Sequence, residues 1–139
     1  MTSPYSKRRV AATALRDFLD GKMTNEDFIE TFPRDGRDPV LVAVADLAWF
    51  CYSDLHTHRL KGKYELQGEM RQLLERAYLF LQTELAYEWP GFRFMNPLFL
   101  FLRLLGLRRL VHNRFERFKA TGDWEVWPFR SRRDYERYA

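Results

Sequence analysis

Asp38-Pro39 introduces thirteen residues, Val40 to Tyr52, in which Asp46 is the only charged side chain and the rest are almost all apolar. A capping aspartate followed by proline at the first helical position is a strong helix start. The valines alone would also suit a strand, but the length, the cap and the alanines favour a helix. A helix with no polar face cannot lie on a surface and must be wrapped by other elements. It is also shorter than the roughly 20 apolar residues a membrane span needs. The segment therefore predicts a buried central helix, with Trp49 or Phe50 in the core, surrounded by amphipathic partners.

The rest of the chain supplies those partners. Proline and glycine punctuate it, and apolar residues at helical spacing fill the intervals. Ser3-Pro4 predicts a helix start, Ala11, Ala14, Leu15 and Phe18 its inner stripe, and Gly21 its end. Thr24 caps a second, short helix with Phe28, Ile29 and Phe32 on its apolar side and Pro33 as its stop. Lys61 to Gly68 reads as a polar connection. Met70, Leu73, Leu74, Ala77, Leu81 and Leu85 predict a long helix that Pro90-Gly91 ends. Asn96-Pro97 repeats the start signal, and Leu100, Leu104, Leu107, Val111, Phe115 and Phe118 form one face of the next helix, which Gly106 kinks or divides and Gly122 terminates. Trp124 to Pro128 reads as extended chain, and Ser131 caps a last turn carrying Tyr135 and Tyr138. The expected fold is all-α: a single domain over residues 1–139, a bundle of five or six helices around the central one, with a short extended aromatic segment near the C-terminus.

Bulk properties narrow the function classes. The single cysteine, Cys51, excludes an internal disulfide framework and a cysteine-based zinc site, and its apolar neighbours predict a buried, inert thiol. No apolar stretch follows the early charges at Lys7 to Arg9, so no signal peptide is visible, and a cytoplasmic, non-membrane protein is expected. Residues 1–69 hold ten Lys/Arg against eleven Asp/Glu, whereas residues 70–139 hold thirteen against eight. The second half can attract an acidic partner, although the excess is mild for a nucleic-acid binder. Phosphate loops, nucleophile elbows, zinc-helix motifs and calcium loops are absent from the sequence.

Two groups of residues are candidates for chemistry or binding. In the middle of the chain, Asp46 is costly unless an Arg, a Tyr hydroxyl or a backbone N–H partners it. Asp54 and His58 are four apart, and Glu84 and Glu88 follow the stripe of the long helix; these four could form a metal or acid/base site between two helices. The plainer expectation is a buried polar network paired with Arg76, Arg93 or Arg103, with no metal or other cofactor, and with His56 and His58 as surface histidines. Near the C-terminus, Trp124, Trp127 and Phe129 either clamp over the core or form a partner hot spot, next to Arg130, Arg132, Arg133 and Arg137. On the preceding helix Arg103, Arg114 and Arg117 fall along one side of the apolar stripe and Arg108, His112 and Lys119 along the other, an arrangement that suits cations snorkelling beside a core.

These features favour a non-enzymatic binding module of bacterial immunity, antitoxin or adaptor type, acting by occluding a protein partner. Nucleic-acid binding through the C-terminal basic patch is the second reading. A metal-dependent enzyme built on the central carboxylates is the third.

Overall fold

The computed structural model describes residues 5–52, 55–91, 105, 106 and 108–139, with the backbone alone described for 108–111. The described residues are all-helical and contain no strand. The helices are α1 (Arg8–Leu19), α2 (Asn25–Thr31), α3 (Pro39–Trp49), α4 (Gly68–Leu81), α5 (Arg108–Ala120) and α6 (Arg132–Tyr138), with 3-10 turns at Gly62–Tyr64 and Trp124–Val126. No described helix is long and apolar enough to cross a membrane.

Helix α1 packs against α2 and α4, and α3 against α4. The predicted stripe of α1 is its buried face: Ala11, Ala14, Leu15 and Phe18 are all within 1% of full burial. The helix begins at Arg8, later than Ser3-Pro4 suggests; residues 3 and 4 lie outside the described residues. Gly21 takes φ +71° immediately after the helix, a conformation that a Cβ would strain, and its N–H donates to the Phe18 carbonyl. Thr24 Oγ1 accepts from the Asp27 N–H and caps α2, which buries Phe28 and Phe32 but leaves Ile29 exposed.

The central helix is as apolar all round as its sequence requires. Val40, Leu41, Val44 and Ala48 are fully buried and Leu47 nearly so. Its core is aliphatic, however, and the expectation of Trp49 or Phe50 at the centre is corrected. The helix ends at Trp49, which is half-buried, and Phe50 sits at the C-cap with 48% of its surface exposed. Asp38 occupies the N-cap position without making a side-chain cap bond. Its carboxylate instead receives Arg8 in a two-pronged ion pair, Nε to Oδ2 at 2.7 Å and Nη2 to Oδ1 at 2.9 Å. Arg8 Nη1 donates to the Thr83 carbonyl at 2.9 Å, and its guanidinium lies 4.2 Å from the centre of the Tyr5 ring and 4.9 Å from that of Phe80. One buried cation thereby joins the start of α1, the start of α3 and the chain just past α4.

The sequence predicts a long helix running to Pro90, but α4 stops at Leu81. Two hydrogen bonds explain the stop. Thr83 Oγ1 donates to the Phe80 carbonyl at 2.8 Å and accepts from the Leu85 N–H at 3.2 Å, a local turn that competes with helix continuation. Beyond it burial alternates with period two: Thr83, Leu85, Tyr87 and Trp89 face inward, and Glu84, Ala86, Glu88 and Pro90 outward. This stretch lies against the C-terminal aromatic segment through Tyr87 and Trp89. Gly106 adopts φ +78° in the turn before α5, so the chain turns there rather than continuing one helix; the Asn96-Pro97 start and the Leu100 and Leu104 stripe lie outside the described residues.

Candidate functional site: the C-terminal aromatic clamp and its charged face

The segment expected to be extended is a 3-10 turn at Trp124–Val126, followed by extended backbone at Trp127 and Ser131. Asp123 begins the turn by accepting the Glu125 N–H at 3.1 Å. Val126, Trp127 and Phe129 are completely buried. Trp127 donates its indole N–H to the Tyr87 hydroxyl at 3.0 Å, and Trp89 donates its own to the Phe129 carbonyl at 3.0 Å. Phe115 and Phe118 of α5 meet Trp124 edge-on at 5.5 and 6.0 Å, and Tyr135 of α6 meets Phe129 at 5.5 Å. The aromatics therefore fasten both C-terminal helices to the core. As a contact surface, Trp127 and Phe129 are corrected: with no exposed area they cannot touch a partner, and Trp124 is half-buried among rings. Burial holds the Tyr87 phenol up at about 12, against a smaller opposing effect of the Trp127 N–H.

The neighbouring arginines divide into two kinds. Arg130 closes the clamp: Nη2 donates to the Thr121 carbonyl at 2.7 Å and the guanidinium lies 5.3 Å from the centre of a Trp89 ring. Gly122 permits this approach, because a Cβ there would stand 2.8 Å from Arg130 Nη1 and 2.9 Å from Trp89. Arg132 bridges Asp123 and Glu125 at 2.8 and 2.9 Å, which raises its affinity for the proton. Arg133 and Arg137 are exposed on α6 and make no ion pair among the described residues, although Arg137 lies over the Tyr138 ring at 5.5 Å. On α5, His112, Arg114 and Arg117 are exposed, while Lys119 lies over Phe115 at 5.0 Å and reaches Glu116 at 3.1 Å. The whole formal charge excess belongs to this region: residues 108–139 carry nine Lys/Arg against five Asp/Glu, and residues 1–107 carry fourteen of each.

The central polar candidates do not converge. Asp46 is fully buried and pairs with Arg34 Nη2 at 3.8 Å. His58 is buried rather than on the surface: it stacks on Tyr64 at 3.7 Å, its N–H donates to Asn25 Oδ1 and its carbonyl accepts the Asn25 N–H. Asn25 Nδ2 also donates to the His56 carbonyl, so a single buried amide moors this connection to α2. Glu84 and Glu88 point outward from the alternating segment and are exposed, which removes them from any interhelical site. Asp54 and Arg103 lie outside the described residues, as does Arg93. Arg76, expected to pair with the glutamates, donates instead to backbone carbonyls of the clamp. Among the described residues no group of three His, Cys, Asp or Glu could hold a metal ion.

Cys51 is half-buried, with its Sγ 3.7 Å from the Leu47 carbonyl, and burial pushes its thiol up to about 12. The thiolate is the reactive form, so at pH 8 the folded chain should react with a disulfide reagent on the order of 10²–10³ times more slowly than the chain in denaturant. Stopped-flow kinetics of thiol labelling in the two states measure this, and equal rates would place the thiol in open solvent.

No protein-family model, curated protein or solved structure matches the chain.

Proposed function

We propose that the chain is a non-enzymatic protein-binding module that occludes an acidic surface of a partner protein with its C-terminal third. The observation that carries this reading is the confinement of the net positive charge to residues 108–139, on helices whose orientation the buried aromatic clamp fixes. A surface ordered before binding loses little conformational freedom on association. A complementary field steers encounter and selects against basic partners.

A protein partner is favoured over nucleic acid by the mixed character of this surface. Arg132 is enclosed by Asp123 and Glu125, and Lys119 contacts Glu116. Tracking a phosphate backbone draws on several uncompensated cations, each releasing counterions. Arg133 and Arg137 supply two on α6, beside Glu136, and Arg114 and Arg117 two more on α5, beside Glu116, so the exposed cations are interleaved with acids.

The test is the double variant Arg133→Glu, Arg137→Glu, both exposed positions, with thermal melts confirming an unchanged fold. Quantitative mass spectrometry of proteins captured from native cells should show a stoichiometric partner whose retention falls by about tenfold or more in the variant. Binding to mixed-sequence DNA and RNA at about 50 and 200 mM salt forms the second arm. Micromolar nucleic-acid affinity near physiological salt, lost in the variant, would replace this reading with the nucleic-acid one. Capture unaffected by the double variant would remove this surface from the interface.

A further inference from the structure

A groove of about 440 Å³ separates α4 from α6, lined by Arg71, Gln72, Glu75, Arg76 and Leu79 on one side and Tyr135 on the other. Arg76 is half-buried in it. Its Nε donates to the Trp127 carbonyl at 3.0 Å and its Nη2 to the Trp124 carbonyl at 3.4 Å, both neutral acceptors. No carboxylate among the described residues comes within ion-pair distance of it, and Asp54 is the only acid in the rest of the chain. Glu75, the acid in the same lining, is already engaged: Arg16 holds it at 2.7 and 3.0 Å and Arg71 at 3.3 Å. The guanidinium has five N–H groups, of which these carbonyls take two. Burial is the leading influence on Arg76 and depresses its proton affinity, against smaller opposing effects of Tyr135, Glu69, Glu125 and Asp123, none of which reaches ion-pair distance.

We propose that this groove anchors an acidic side chain of the partner protein, with Arg76 as its receptor and Leu79 and the Tyr135 ring as the wall for an adjacent apolar side chain. The inference rests on the protein-binding reading and assigns its anchor. A carboxylate entering the groove gives a half-buried cation that has no direct ion pair a charge-assisted partner, in a site already shielded from water on one side. Arg133 and Arg137 stand on the opposite side of α6 from Tyr135 by helical spacing, so they steer the partner rather than contact this residue. A protein carboxylate suits the groove better than a phosphate does. The site offers one available guanidinium and an apolar wall, and Glu75 would repel a dianion.

The probes are acetyl-Glu-Leu-amide, its Gln-Leu counterpart and inorganic phosphate, each titrated into the full chain while the Arg Nε–H and backbone amide NMR signals are followed. The glutamyl peptide should shift Arg76 Nε–H and the amides of residues 72–79 and 135 saturably in the millimolar range, with the glutaminyl peptide about fivefold weaker or less. Arg76→Gln should abolish the response. Gln72→Glu adds a carboxylate to the lining at an exposed position, and should weaken binding about fivefold even if the Arg76 variant fails to fold. No saturable shift up to tens of millimolar, equal shifts with both peptides, or a phosphate response as strong as the glutamyl one would overturn the assignment. The peptide arm needs no knowledge of the partner. A silent groove beside partner capture that still depends on Arg133 and Arg137 removes the anchor and keeps the module. A groove response with no captured protein removes the module and leaves a carboxylate site.

Discussion

Trp127→Ala is expected to destabilise the fold by about 3–5 kcal/mol, a large share of the roughly 5–15 kcal/mol that holds a domain of this size together. The side chain is completely buried, between Tyr87 at 6.4 Å and Trp124 at 5.5 Å. Its loss opens a cavity where three segments of the chain meet, and leaves the Tyr87 hydroxyl without its indole donor. Trp127→Phe is the milder truncation. It keeps one aromatic ring in the site but removes the N–H together with part of the indole, so it should cost less, about 1–3 kcal/mol. Urea unfolding of both variants, followed by far-UV circular dichroism, gives the comparison. A cost for the alanine variant below about 1 kcal/mol would mean that α5 and α6 hold to the core without the clamp.

That clamp shows how far periodicity alone reaches. Helices α1 to α3 were legible because their signals are local: the Ala11-Ala14-Leu15-Phe18 stripe, the Thr24 cap and the Asp38-Pro39 start each lie within a turn or two. The end of α4 is locally ambiguous, because the spacing of Leu81 and Leu85 fits a helix as well as it fits an alternating extended segment. The decisive signal was in the sequence. In Thr83-Glu84-Leu85-Ala86-Tyr87-Glu88-Trp89 the larger apolar residues fall on odd positions and both glutamates on even ones, the pattern of a half-buried extended segment. Read that way, Glu84 and Glu88 leave the interior, and the metal-site reading loses two of its four members. Arg76 and Arg8 were not legible as functional or structural centres. Their partners are backbone carbonyls 48 to 75 residues away and a carboxylate 30 residues away, and no local pattern marks contacts of that kind.

The same non-local logic governs the last expected result. Arg8→Met should cost about 3–5 kcal/mol, because Asp38 would remain 2% exposed with its cation gone and the Thr83 carbonyl would lose a donor. Asp38→Asn should be milder. It retains the shape and one acceptor for Arg8, and the backbone bond from Leu41 N–H to the Asp38 carbonyl does not involve the side chain. The informative protein is the double variant. Methionine can still lie between the Tyr5 and Phe80 rings, and asparagine no longer buries a bare charge, so much of the loss should return. A double-mutant cycle from urea melts should therefore show a coupling of about 2 kcal/mol or more between positions 8 and 38. Additive costs would mean that Arg8 stabilises the fold through its stacking and its bond to Thr83, with the ion pair to Asp38 contributing nothing beyond what either residue finds alone.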